Sequence, residues 1–227
     1  MGEPVGDELS RLWTLVDHLG YDLDPSILIG GWATQLRVGG EISRDIDLII
    51  ASPELRSRLR EVLDDYSENT LHSGGRKARG TIDGIHVDAY IPHESLLGNR
   101  LRLNVVALAR HTDSEVVRGW HLLTVDAHLA TKFAALLDRP DTEKGAKDAR
   151  EVVALLHTGA TPQLTISVIL EATEREPREV PKLVREAFDL AMDRSGVNKG
   201  ARRDLAQQRR IWVDEVERQV RRLDRAE

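Results

Sequence analysis

The segment from Ile27 to Ile50 constrains the fold of this chain more than any other stretch. It starts with a short apolar run, turns at the glycine pair Gly30–Gly31, and ends in an alternating run that contains Asp45 and Asp47. Residues two apart in a strand point to the same face, so the two aspartates share one face and their apolar neighbours share the other. The pattern predicts a buried strand, a glycine turn that opens a helix, and a second strand that carries two carboxylates.

Carboxylates are the first candidates for a functional site. Two carboxylates side by side on a strand repel each other, and a cation between them removes the repulsion. Hard divalent cations such as Mg²⁺ or Mn²⁺ take oxygen ligands, with phosphates completing the shell. A third acid, Asp88, falls on the polar face of an alternating strand that follows an Asp83–Gly84 hairpin turn. If that strand lies beside the first pair, Asp45, Asp47 and Asp88 converge as metal ligands.

The glycine pair favours a phosphate ligand next to these acids. Gly30 and Gly31 let the backbone approach a phosphate closely, and the helix that opens there offers free N–H groups and a positive dipole end. Ser43 lies two residues before Asp45, near both features. We therefore consider Gly30, Gly31 and Ser43 candidates for nucleotide binding. Together with the acids they indicate nucleotidyl transfer from a nucleoside triphosphate, which needs phosphate clamps more than covalent catalysis.

Composition limits the other possibilities. The chain of 227 residues contains no cysteine, which excludes disulfides and thiolate zinc sites and suits a cytoplasmic protein. No apolar run approaches the roughly 20 residues of a membrane-spanning helix, so we expect no membrane association. The net charge of −6 argues against a general nucleic-acid coat protein. Residues 199–227 nevertheless hold nine basic and six acidic side chains, which allows a local contact with a polyanion.

Hydrophobic periodicity divides the chain near residue 123. Before that point, strands are predicted at 27–29 and 46–50, helices at 7–19, 32–38 and 52–65, and a basic glycine-rich loop at 72–80. Residues 81–91 are predicted to hold the Asp83–Gly84 hairpin turn and then an alternating strand. After it, the period is helical throughout, with helices predicted at 125–138, 144–156, 163–175, 181–194 and 199–225. We predict an α/β domain over residues 1–123 and a helical domain over residues 124–227, which completes the site.

Two segments resemble known nucleotidyltransferases. Residues 30–50, GGWATQLRVGGEISRDIDLII, look like the DNA polymerase-β-type pattern of a glycine pair, a helix, D-x-D on a strand and a later third acid. Residues 122–156 are similar to the AbiEii-type toxins, including the mycobacterial MenT group, in having Lys132, Arg139 and the pair Lys147–Asp148. The resemblance implies an α+β (α/β) fold of two lobes, in which a polymerase-β-like domain with a mixed sheet precedes a C-terminal helical bundle.

The resemblance also implies an activity. Asp45, Asp47 and Asp88 would bind the metal, Lys132 would hold the triphosphate, and Asp148 would be an essential acid close by. Such toxins transfer nucleotides, often pyrimidines, from a nucleoside triphosphate to the 3′ end of tRNA, which blocks aminoacylation, and they are encoded with an antitoxin partner. The chain is thus predicted to be a metal-dependent toxin of a toxin–antitoxin system, with these five residues catalytic.

Two alternatives stay open. The GGWA opening also resembles aminoglycoside and lincosamide nucleotidyltransferases, so the acceptor could be a small molecule. A non-catalytic nucleotide-binding or partner-binding module is the alternative of another class, although the presence of all three acids argues against it. A basic rim meeting the cleft would favour tRNA, and a short anionic cleft would favour a cationic drug. The candidate tRNA-binding residues are Arg76, Lys77, Arg79, Arg202, Arg203, Arg209 and Arg210.

Overall fold

A mixed β-sheet lies at the centre of the computed structural model, which describes residues 6–71 and 75–225. The strands are β1 (Ile27–Ile29), β2 (Asp45–Ile49), β3 (Asp64–Leu71), β4 (Gly75–Ile82), β5 (Ile85–Leu97), β6 (Leu103–Asn104), β7 (Thr112–Val117) and β8 (Trp120–Leu123). Their order in the sheet is β3–β4–β5–β2–β1–β8–β7, and β6 pairs with the end of β5. The pairs β2–β5 and β1–β8 are parallel, and the other pairs are antiparallel.

Helices cover the sheet and fill the second half of the chain. They are α1 (Gly6–Asp22), α2 (Gly30–Val38), α3 (Pro53–Val62), α4 (Val105–Ala109), α5 (Val125–Asp138), α6 (Glu143–Leu156), α7 (Pro162–Ala172), α8 (Val180–Arg194) and α9 (Lys199–Leu223), with a 3-10 turn at Pro177–Glu179. The predicted class, a mixed α/β sheet followed by a helical region, is confirmed. In the described part of the chain, no helix is both long and apolar enough to cross a bilayer.

Alternation along β2 decides which way the acids point. Ile46 and Leu48 are fully buried in the apolar layer that α1, α2 and α3 form on one face of the sheet. Asp47 points to the opposite face, where its β1 partner Ile29 packs with the helices that follow residue 124. The predicted alternation is confirmed, and it directs Asp45 and Asp47 toward the helical half.

The helical half is fixed to the sheet by a shared core. Three aromatic rings pack together at its centre: the ring centroid of Phe133 lies 5.7 Å from that of Phe188 and 6.0 Å from that of Trp212, and the last two lie 5.4 Å apart. The same apolar cluster includes Ile27 and Ile29 of β1. Because one core joins the two halves, α5 and α6 are held in a defined place above the sheet. The domain boundary at residue 123 stays a prediction.

Three predictions about the first half were wrong. Helix α1 continues past Gly20, which packs so tightly under Trp120 that a Cβ would lie 2.8 Å from the indole nitrogen. Helix α3 ends at Val62, and the unpredicted strand β3 follows it. Residues 75–80 of the predicted loop belong to β4, while residues 72–74 lie outside the described residues. Strands β3 and β4 consist mostly of polar residues, so their sequences lack the apolar alternation from which a strand is predicted.

Trp120 ties α1 to β8, and its indole N–H supplies a testable contribution to stability. Trp120 is fully buried, and its Nε1 donates a hydrogen bond to the Val16 carbonyl oxygen at 2.7 Å. Trp120→Phe keeps an aromatic ring but removes the donor, so we expect the free energy of unfolding to fall by about 1–3 kcal/mol in urea titrations. The control is Trp13→Phe at a half-buried position, which should lose less. Equal losses in the two variants would contradict a role for the hydrogen bond.

Candidate active site

Asp47 and Asp88 lie side by side on the surface of the sheet. Strands β2 and β5 are parallel, and their register pairs Asp47 with Asp88 and Asp45 with His86. Paired residues on neighbouring strands point to the same face, so both carboxylates enter one cleft between the sheet and α5–α6. Asp45 lines the same cleft, which has a volume of about 500 Å³. The structure therefore gathers the three acids in one place.

Basic side chains already contact two of these acids. Asp88 accepts hydrogen bonds from Lys77 Nζ at 2.5 Å and from Arg79 Nε at 3.0 Å. Asp45 Oδ2 lies 2.5 Å from Lys144 Nζ, whose side chain is largely exposed at the mouth of the cleft. The cleft thus contains its own positive charges, and an added cation would compete with them.

Asp47 differs from the other two acids. Within the described residues its carboxylate forms no hydrogen bond and no ion pair. Burial raises the pKa of Asp47 above its ordinary value; Lys77 and Lys132 oppose the rise, and Asp88 and Asp45 add to it. A half-buried carboxylate without a direct partner is stabilised in its charged form by a bound cation.

The donor set fits a hard divalent cation in kind, since it offers oxygen atoms of three carboxylates. As the side chains stand, no three histidine or acidic groups among residues 6–71 and 75–225 are placed to hold a metal ion. The predicted convergence of Asp45, Asp47 and Asp88 is therefore incomplete. The physical reason is that Lys77 and Lys144 contact carboxylate oxygens that a metal would need.

The glycine pair forms the N-terminus of α2 directly beside Asp47. Gly30 has φ 69°, and a Cβ there would lie 2.5 Å from Asp47 Oδ2. A Cβ on Gly31 would lie 2.8 Å from Ser43 Cβ and 3.2 Å from Lys147 Nζ. No side chain caps this helix end, so its first N–H groups are available to a ligand. The turn, Ser43 and a lysine meet where the sequence predicted a phosphate.

A methyl group at Gly31 should disturb this turn. Gly31→Ala would press on Ser43 and Lys147, and we expect the affinity for a nucleoside triphosphate with Mg²⁺ to fall about tenfold or more, equivalent to ~1.4 kcal/mol. Titration calorimetry measures the change. Gly200→Ala on α9 adds the same methyl group outside the cleft and should leave binding unchanged. Normal binding by Gly31→Ala would show that the turn does not contact phosphates.

A cluster of buried charges lies at the helical wall of the cleft. Lys132, Asp148 and Glu151 are all buried, and Lys132 Nζ lies 2.5 Å from Glu151 Oε2 and 3.6 Å from Asp148 Oδ1. Arg139 Nε donates to Asp148 at 2.7 Å. Burial raises the pKa of Glu151, while Lys132 opposes the rise. Lys132 and Asp148 are thus brought together, and their catalytic roles stay predictions.

Lys77 is not where the sequence predicted it. It was predicted in a glycine-rich loop as a candidate tRNA contact with Arg76 and Arg79, but it lies on β4 with only 5% of its surface exposed. Its ammonium is enclosed by Asp88 and Tyr90, so it is not part of an exposed rim. Arg79 lines the cleft, whereas Arg76 pairs with glutamates outside it. The loop assignment was wrong because the polar sequence of β4 gives no sign of a strand.

The basic residues of α9 do not line the cleft. Arg202 pairs with Asp193 and Arg209 pairs with Asp189, both on α8. The other two candidates on this helix, Arg203 and Arg210, are exposed. The described lining of the cleft contains as many basic as acidic side chains, so the cleft is not anionic. It also contains no residue of α9, so the cleft is not continuous with a basic α9 surface.

Sequence comparison finds no matching protein family and no similar curated protein. Among solved structures, the chain is similar to an antigenic nucleotidyltransferase-like protein from Paracoccidioides brasiliensis, with 16% identity, a TM-score of 0.44, and coverage of 77% of this chain and 92% of that one. It is also similar to the antibiotic-resistance factor ANT(2″)-Ia, with 17% identity, a TM-score of 0.46, and coverage of 71% and 90% respectively. At these identities the likeness concerns the chain fold alone.

Proposed function

We propose that this chain is a metal-dependent nucleotidyltransferase. The observation that carries the proposal is the in-register pairing of Asp47 with Asp88 beside the uncapped helix end at Gly30–Gly31. The sheet side of the cleft offers oxygen ligands for a divalent cation, and the helix end offers N–H groups for phosphates. A site for both a cation and a polyphosphate is what transfer from a nucleoside triphosphate requires.

In the proposed reaction, an acceptor hydroxyl oxygen attacks the α-phosphorus of the nucleoside triphosphate. The bond from that phosphorus to the bridging oxygen breaks, pyrophosphate leaves, and the hydroxyl proton passes to solvent or a nearby base. A bound Mg²⁺ or Mn²⁺, held by Asp45, Asp47 and Asp88, would neutralise phosphate charge. Lys132 and Lys147 line the helical side of the cleft, where they can orient the triphosphate.

For the acceptor we propose the 3′ end of tRNA, with the protein acting as a cytoplasmic toxin under the control of an antitoxin. Support comes from the resemblance of residues 122–156 to AbiEii-type toxins. It comes also from the exposed side chains of Arg79 and Lys144 at the cleft, which can meet phosphates of an RNA backbone. Nucleotides added to the acceptor end would prevent aminoacylation.

A small-molecule acceptor is the second candidate. The observation that favours it is the pairing of Arg202 and Arg209 with α8, because the described part of α9 then supplies no basic path into the cleft. The cleft volume of about 500 Å³ also lies within the range typical of small-ligand pockets, roughly 300–1,000 Å³. In this case an aminoglycoside or lincosamide would replace tRNA.

Transfer of a labelled nucleotide separates these candidates. The protein is incubated with Mg²⁺, one α-phosphate-labelled nucleoside triphosphate at a time, and either total tRNA or a panel of aminoglycosides and lincosamides. We expect label on tRNA with at least one pyrimidine nucleotide, and label reduced about 100-fold or more with Asp47→Asn. Label on a drug alone would select the second candidate. Nucleotide binding without transfer to any acceptor would point to a non-catalytic module.

A further inference from the structure

A buried ammonium group lies where the proposed metal would contact Asp88. Lys77 is 5% exposed, and its Nζ lies 2.5 Å from Asp88 Oδ2 and 3.4 Å from Tyr90 Oη. The same nitrogen is 4.7 Å from the centroid of the Tyr90 ring, which adds a cation–π contact. Lysine is rarely this buried unless its charge is paired, and here Asp88 is the partner.

The sheet fixes the backbone on which this ammonium is carried. In the β4–β5 register, Lys77 pairs with Tyr90 and Arg79 pairs with Asp88. Side chains of paired residues share a face, so Lys77 reaches Asp88 diagonally across the ladder. The backbone of Lys77 is held by β5 on one side and by Asn69 of β3 on the other. The side chain is therefore less constrained than the backbone that carries it.

Burial makes this lysine different from two other cations that contact Asp45 or Asp88 directly. The side chains of Arg79 and Lys144 are 46% and 64% exposed, so solvent and salt screen their charges. Lys77 is enclosed, and its charge acts on Asp88 with little screening. A divalent cation that binds at Asp47 and Asp88 must therefore overcome this positive charge.

We propose that Lys77 is a resident counter-ion that controls metal binding at this site. In the metal-free protein it holds Asp88, and a divalent cation must displace it before Asp88 can become a ligand. The inference rests on the proposed function, because it requires a cation at Asp47 and Asp88. Metal alone then binds more weakly than the carboxylates would otherwise allow. The displaced ammonium can pair with a phosphate oxygen of the incoming nucleotide, so metal and nucleotide bind together.

Binding of Mn²⁺ to the full chain, measured by electron paramagnetic resonance without nucleotide, tests the proposal. Lys77→Met keeps the length of the side chain against Tyr90 but removes its charge, and it should bind Mn²⁺ about tenfold more tightly or better. Lys77→Arg should behave like the wild type. Arg79→Met, which removes a screened charge, should have a smaller effect that vanishes at high salt. Unchanged or weaker Mn²⁺ binding by a folded Lys77→Met variant overturns the proposal.

A measurement on the unaltered protein does not depend on whether the variants fold. An amine-acylating reagent should label Lys77 faster when Mg²⁺ is present, because the ammonium has then left Asp88; peptide mass spectrometry follows the rate. Lys199, exposed at the start of α9, serves as the internal reference. Unchanged labelling of Lys77 with Mg²⁺ bound overturns the proposal. If neither the wild-type chain nor a folded Lys77→Met variant binds Mn²⁺ at millimolar concentration, the proposed metal site itself is overturned, so the two failures are distinct.

Discussion

Asp47→Asn is expected to reduce nucleotidyl transfer by about 10²–10³-fold or more, because the amide keeps the shape of the carboxylate but loses the charge that a cation and the transferred phosphate need. Asp47 is the one of the three acids that no basic side chain in the described residues contacts directly. Its charge is therefore not required for an ion pair in the resting protein. Initial rates of label transfer at saturating Mg²⁺ measure the effect.

Asp47→Asn should lose activity but should not lose thermal stability. Burial raises the pKa of Asp47, so the ionised carboxylate is less favourable in the folded chain than in the unfolded chain. The contribution of Asp47 to the free energy of unfolding is fully present at low pH. It is lost as the pH rises through the pKa that Asp47 has in the folded chain. Asparagine does not ionise and avoids that loss at pH 7. With a chelator present, the melting temperature of Asp47→Asn should equal or exceed that of the wild type, with the difference shrinking at lower pH.

A variant that is inactive and also less stable at every pH would contradict this account of Asp47. It would show that the carboxylate supports the fold, and the loss of activity would then say little about a metal. Asp83→Asn, at the exposed hairpin turn between β4 and β5, is a matched control, because the same chemical change there should alter neither rate nor stability.

Lys132→Met should have the largest effect on stability, about 3–5 kcal/mol. The substitution removes the cation that lies 2.5 Å from Glu151 Oε2 and 3.6 Å from Asp148 Oδ1. Asp148 keeps its hydrogen bond from Arg139, whereas among the described residues Glu151 keeps a single basic partner, Lys147 at 3.9 Å. A buried carboxylate left with so weak a partner is costly. Urea unfolding measures the loss.

The double variant Lys132→Met with Glu151→Leu separates structure from catalysis. Removing both charges takes away the uncompensated carboxylate, so most of the lost stability should return. Paired buried charges couple strongly, so the effects of the two substitutions should not add. Transfer activity should stay low, because the lysine proposed to orient the triphosphate is still absent. If activity returned together with stability, Lys132 would be a structural residue only.

The spacing of apolar residues was enough to predict the helices and strands in which buried residues recur at a regular interval. Strand β1 was predicted at 27–29 and α5 at 125–138, and both have these bounds, because apolar spacing reports directly which face is buried. The start predicted for α3, at residue 52, is also close to the observed one: the Ser52 hydroxyl caps the helix by accepting a hydrogen bond from the Leu55 N–H. The Asp83–Gly84 turn was also predicted, and both residues have the positive φ that such a hairpin needs.

The pairing of strands that are distant in the chain could not be predicted from local apolar spacing. That Asp88 lies next to Asp47 depends on the parallel register of β2 and β5, which the sequence allowed but did not determine. Strands β3 and β4 are defined by their hydrogen-bonded ladder, and their polar sequences give no period. Glu151 was missed as a partner of Lys132 because an acid on an amphipathic helix looks like any solvated side chain until the opposite wall is known.

Separate labels on the α- and γ-phosphates of one nucleoside triphosphate test most directly whether the cleft transfers nucleotides. The doubly labelled nucleotide is incubated with the wild-type chain, Mg²⁺ and total tRNA, beside the drug panel and the Asp47→Asn variant. We expect the α label on an acceptor and the γ label in released pyrophosphate, with both products reduced about 100-fold or more in the variant. A γ label on the acceptor, or no release of pyrophosphate with any acceptor, would contradict nucleotidyl transfer by this site.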